Sequence, residues 1–190
     1  MGKRNRKSKV IIILIVLAVI LSASAFTLYS TVKMLYPLKY TELVSRYSEQ
    51  YDLDPYLVTA VINVESNFRP DAVSHKNAIG LMQISEKTGK WAAGKLKVEN
   101  YGTDDLYVPE TNIRLGCWYL STLYKQYGNM DLALAAYNGG SGNVSSWLRD
   151  ESLSPDGKTL ERIPFPETDN YLKKVKKNYS VYKRLYENEF

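Results

Sequence analysis

Glu65 stands where a helix would turn it inward. It follows Val58, Val61 and Ile62 at helical spacing, seven, four and three residues before it, within the stretch 54–66. If that stretch is helical, all four share one apolar stripe. A carboxylate is almost never fully buried without a partner. Burial disfavours its charged form, so its pKa rises and the group becomes an acid that can act near neutral pH. Proton donation is therefore the chemistry this position offers. The ordinary alternatives are a glutamate at the edge of the stripe that reaches water and an inward one paired with Lys or Arg. Other reactive types are sparse. Cys117 is the only cysteine and His75 the only histidine, so no internal disulfide and no zinc-type ligand cluster can form. Cys117 lies among Leu115, Trp118 and Leu120 and reads as a buried thiol. Nothing in the composition calls for a metal or another cofactor.

The elements that would hold Glu65 read as helices. Asp54 and Pro55 are start signals for its helix, and Arg69-Pro70 marks its end. Helical spacing also covers 41–50, 88–96, 109–127, 131–137, 144–148 and about 168–186. Residues 69–80, 100–108 and 150–166 carry turn residues and read as loops. No strand pattern of useful length appears. The expectation is an all-α domain over 41–190.

Ahead of it lie a basic tail, residues 1–9, an apolar stretch, residues 10–29, and a connector, residues 30–40, broken at Pro37. Net charge is +5, but Lys3, Arg4, Arg6, Lys7 and Lys9 account for it; elsewhere basic and acidic residues balance at 20 each. Net charge thus gives no support to nucleic-acid binding. Residues 10–31 are uncharged, which reaches the roughly 20 residues needed to cross a bilayer. Ala23-Ser24-Ala25 also fits a signal-peptidase site. Continued apolar character through Phe26 and Leu28, with Tyr29 and Tyr36 as interfacial anchors, favours an uncleaved single-pass anchor. Either way the domain is exported, and basic residues ahead of the stretch keep the N-terminus in the cytoplasm.

Glu65-Ser66, Gly80-Leu81-Met82-Gln83 and Ala135-Ala136-Tyr137-Asn138 resemble, in order and spacing, the motifs of the soluble lytic transglycosylase catalytic domain. Asp54–Val58, Asn112-Ile113 with Gly116, and Ile163-Pro164 with Glu167-Thr168 and Tyr171 extend the resemblance from about Tyr40 to the C-terminus. It implies a lysozyme-like fold, preceded here by one transmembrane helix, and a substrate of peptidoglycan glycan strands. It implies that Glu65 protonates the oxygen between N-acetylmuramic acid and N-acetylglucosamine. Glu65 then accepts the proton of the muramic 6-hydroxyl, which closes a 1,6-anhydro ring. It further implies substrate-side roles for Ser66, Met82, Gln83, Tyr137 and Asn138, and weaker ones for Glu167 and Tyr171. A muramidase using water and a glycan-binding module without turnover are the alternatives. Two positions depart from the family pattern: Asn77 stands where Gly is usual and Glu86 where Pro is usual. Asn tolerates positive φ, so Asn77 is expected to keep its turn, whereas Glu86 removes a rigid element beside Gln83.

Overall fold

The computed structural model describes residues 2–190, with side chains from Ser8 onward. The side chains of Lys3, Arg4, Arg6 and Lys7, expected to orient the N-terminus, lie outside the described residues. The chain divides into two units, residues 1–37 and residues 38–190.

The first unit is a single helix, α1 (Gly2–Leu35). Its Ser8–Leu35 portion is long and apolar enough to cross a membrane. At 1.5 Å per residue, those 28 residues span roughly 42 Å, more than a hydrocarbon core of about 30 Å. Its hydroxyls turn back onto the helix: Ser22, Thr27 and Thr31 donate to the carbonyls of Val19, Ala23 and Thr27 at 2.8–2.9 Å. In hydrocarbon that bonding satisfies groups which have no water to turn to. The connector expected from residue 30 is helical to Leu35. Nothing between Ser30 and Leu35 breaks a helix, and the first residue that does is Pro37.

The second unit consists of helices joined by loops, with one small hairpin. In chain order it holds α2 (Thr41–Gln50), α3 (Pro55–Ser66), β1 (Ala78–Ile79), β2 (Ile84–Ser85), α4 (Glu86–Lys95), a 3-10 helix (Thr103–Tyr107), α5 (Pro109–Tyr127), α6 (Met130–Gly139), α7 (Ser141–Trp147) and α8 (Pro166–Leu185). The start of α3 follows its signals. The Asp54 carboxylate accepts the Tyr56 N–H at 2.8 Å, and Pro55 opens the first turn. Val58, Val61 and Ile62 are fully buried. α3 packs on α8, and α5 packs on α2 and α6. Ala133, Ala135 and Ala136 are buried in α6, which touches α5, α7 and α8. Small side chains there let three helices approach one central helix. Cys117 is fully buried, and burial pushes its thiol pKa up, so it is an inert core group.

The hairpin was not expected: its first strand lies in the expected loop 69–80, as the 3-10 helix lies in the expected loop 100–108. Ala78 pairs with Ser85 and Ile79 with Ile84, and Gly80 to Gln83 form its turn. Two residues per strand give no alternation to detect. Its shape comes instead from α5. Asn112 is fully buried; it accepts the Met82 N–H at 2.7 Å and donates to the carbonyls of Ile79 and Leu106 at 2.9 and 2.7 Å. Gly80 has φ +79, and a Cβ there would collide with the Asn112 side chain and the Leu106 carbonyl. Both reasons require glycine. Asn77 takes φ +57 and donates its N–H to Ser74, so it makes the turn expected of it. Glu86 occupies the first position of α4, behind a Ser85 cap that accepts the Thr88 N–H at 3.2 Å. The helix therefore begins two residues before the expected start. An acid in a first turn suits the helix dipole, so the rigid element expected to be lost with proline is replaced by a capped helix start.

Candidate active site

Glu65 sits in the last turn of α3, partly exposed at its rim. Its carboxyl lines a hollow of about 140 Å³ together with Ser74, His75, Lys76, Gln83, Tyr137, Asn138 and Glu167. A larger groove of about 460 Å³ shares Lys76, Ala78, Gln83, Tyr137, Asn138 and Glu167 with it and continues past Tyr119, Asn143 and Phe165. The two hollows form one cleft, with Glu65 at its smaller end.

No Lys or Arg among the described residues pairs with Glu65. Of the two ordinary alternatives, a structural ion pair is thus missing among the described residues. Withdrawal from water pushes the Glu65 pKa up to about 7, and the charge of Glu167 adds to the rise. Tyr171 works against both by favouring the carboxylate. Its hydroxyl is buried beside Glu65 and makes no hydrogen bond of ordinary geometry with any described residue. An acid poised near neutrality can give up a proton and take one back.

The expected site residues divide into two groups. Gln83, Tyr137, Asn138 and Glu167 line the cleft with Glu65. Gln83 has φ +50, and its amide nitrogen donates to the carbonyls of Ala72 and Gly80 at 3.1 and 2.9 Å. The Asn138 oxygen accepts the buried Thr168 hydroxyl at 2.9 Å, which fixes the amide at the wall of the cleft. Tyr137 lines the cleft, but its hydroxyl donates to the Met82 carbonyl at 2.7 Å, and its ring lies tilted 5.3 Å from that of Tyr119.

Ser66 and Met82 lie behind the cleft, not on it. Ser66 is one residue beyond Glu65, and a helix rotates that position by about 100°. Its side chain is 2% exposed and donates to the Leu81 carbonyl at 2.8 Å. It ties α3 to the hairpin turn, which corrects the expectation that it touches substrate. Met82 is fully buried against Gly116, where a Cβ would collide with its sulfur. It packs beneath the floor. Tyr171 is also buried and reaches the site only through Glu65.

Lys76 is the residue that sequence reasoning missed. Its ammonium lies 3.0 and 3.3 Å from the two Glu167 oxygens. The only signal was its place one residue before Asn77, in a loop adjoining the Gly-Leu-Met-Gln motif.

A helical domain that sets one unpaired glutamic acid at the end of a helix, beside a small hairpin and above a long cleft, is lysozyme-like. The sequence model of the Transglycosylase SLT domain matches residues 42–158, and the chain belongs to that family. It is 38% identical over 143 residues to the soluble lytic murein transglycosylase of Salmonella typhimurium, covering 74% of this chain and 22% of that one. It is 33% identical over 173 residues to the membrane-bound lytic murein transglycosylase C of Edwardsiella ictaluri, covering 77% and 47%. Among solved structures, the 70 kDa soluble lytic transglycosylase of Escherichia coli aligns with TM-score 0.75 and 31% identity over 86% of this chain and 27% of that one. An inactive Glu-to-Gln form of lytic transglycosylase Slt from Pseudomonas aeruginosa aligns with TM-score 0.70 and 35% identity, covering 78% and 24%. The chain therefore spans less than half the length of the relatives it matches.

Proposed function

We propose that this protein is a peptidoglycan lytic transglycosylase in which Glu65 is the single acid and base. The observation that carries the reading is the Glu65 carboxyl, unpaired and held at a pKa of about 7 at the end of the cleft. The glycan strand lies along the larger groove, with the bond between N-acetylmuramic acid and N-acetylglucosamine over Glu65. The protonated carboxyl donates to the glycosidic oxygen, and that bond breaks as positive charge develops at the anomeric carbon. The substrate's acetamido group stabilises this charge. The carboxylate left on Glu65 then removes the proton of the muramic 6-hydroxyl, whose oxygen closes onto the anomeric carbon. Glu65 regains its proton, and no water is consumed. Gln83 and Asn138 position the sugar by their amides. Tyr137 acts by supporting the cleft wall, and Glu167 faces the sugar or its peptide stem.

A water-using muramidase is the second reading, because Glu167 brings another carboxylate to the same hollow. Inverting hydrolysis needs that carboxylate free to activate water. Glu167 is instead engaged through both oxygens by Lys76, which favours the transglycosylase. Digestion of purified peptidoglycan decides between them by product mass. Transglycosylase products end in anhydromuramic acid and weigh one water less than the reducing ends of hydrolysis. Reducing ends alone would support the muramidase, and binding without any product would support a glycan-binding module.

The proposal extends to α1 as an uncleaved anchor with the domain outside the cytoplasm. Its apolar character, continued through Phe26 and Leu28, supports it. The mass of the protein recovered from membranes is expected to be that of the uncleaved chain. A mature product beginning at Phe26 would replace the anchor with a signal peptide.

A further inference from the structure

The Lys76–Glu167 pair joins two segments 91 residues apart, the loop before β1 and the first turn of α8. Both residues line the small hollow that holds Glu65, and both line the larger groove. The pair therefore stands at the waist of the cleft. Its side chains are 63% and 65% exposed. So open an ion pair contributes about 0–1 kcal/mol to stability, which gives the fold little reason to keep it. Its position gives a better one. The Glu167 charge opposes ionisation of Glu65 in the same hollow, and Lys76 exerts no resolved effect on Glu65 directly. An ammonium clamped on both Glu167 oxygens fixes where that charge sits.

We infer that Lys76 is a positioning residue that holds the Glu167 carboxylate at the waist of the cleft, and through it sets how readily Glu65 releases its proton. The other titratable groups facing Glu65 are Tyr137 from α6, Tyr171 from α8 and His75 from the Lys76 loop. Burial pushes both tyrosines far above neutrality, so they stay protonated throughout the working range. A His75→Gln background removes the histidine from the measurement.

The inference rests on Glu65 as the proton donor, but its test needs no turnover. The Glu65 carboxyl carbon is titrated by isotope-edited NMR in the full-length chain in detergent micelles. Glu167→Gln is expected to lower the midpoint. Lys76→Met is expected to lower it toward the same value, because an exposed Glu167 carboxylate released from its clamp turns to solvent, and Lys76→Arg to restore it. In the Glu167→Gln background, Lys76→Met should add no shift. The alkaline limb of the activity profile should move in the same direction as each midpoint. An unmoved midpoint in Lys76→Met, or an equal shift in both backgrounds, overturns the inference. Either result leaves the assignment of Glu65 intact, whereas a Glu65→Gln variant that retains activity removes that assignment and not the electrostatic coupling.

Discussion

Glu65→Gln is expected to reduce peptidoglycan cleavage by at least about 10³-fold, within the range that a positioned acid and base contribute. The amide is close in shape, so the cleft should keep its form, but it has no proton of useful acidity to give. The same variant should change how stability depends on pH. The Glu65 pKa is raised from about 4.5 to about 7 in the folded chain. A raised carboxyl contributes its stability below the unfolded value and loses it as pH rises through the folded one. The shift corresponds to a loss of up to about 3 kcal/mol between roughly pH 4.5 and 7. Chemical denaturation of the wild type at pH 5 and pH 8 should show the decline, and Glu65→Gln should lack most of it. A variant that tracks the wild type at both pH values would mean that the carboxyl is not withdrawn from water.

Asn112→Ala should be the most damaging substitution away from the cleft. It removes one acceptor and two donor bonds from a fully buried side chain, stranding the Met82 N–H and the Ile79 and Leu106 carbonyls. Each stranded group costs about 1–3 kcal/mol, giving roughly 3–9 kcal/mol together, against a total stability of about 5–15 kcal/mol for an ordinary domain. The melting temperature should fall by roughly 10 °C or more. Activity should fall further than the folded fraction, because the same bonds hold the hairpin turn that ends at Gln83. A melting temperature within a degree or two of the wild type would show that water or a rearranged turn satisfies these groups.

Local features were legible in the sequence. Asp54 and Pro55 announced α3, Gly128 closed α5, and the spacing of Val58, Val61 and Ile62 turned Glu65 inward. These signals act within one or two turns of the chain. Features that depend on contacts between distant segments were hidden. The hairpin is set by Asn112, more than 25 residues further along the chain, and not by strand propensity. Ser66 bonds the Leu81 carbonyl, so a residue adjoining the candidate acid serves the scaffold. Lys76 gains its role only once folding brings it to Glu167. The family resemblance pointed to Gln83, Tyr137 and Asn138 where spacing alone would have left Asn138 as a helix terminator. It could not say that the Tyr137 hydroxyl turns to the Met82 carbonyl.

The central claim is that Glu65 returns its proton balance with a substrate hydroxyl and not with water. Digestion of peptidoglycan in heavy-oxygen water measures this directly. The muramic ends released by the full-length protein are expected to be anhydro sugars carrying none of the solvent label. Reducing ends that carry one labelled oxygen each would contradict the account and make the protein a hydrolase.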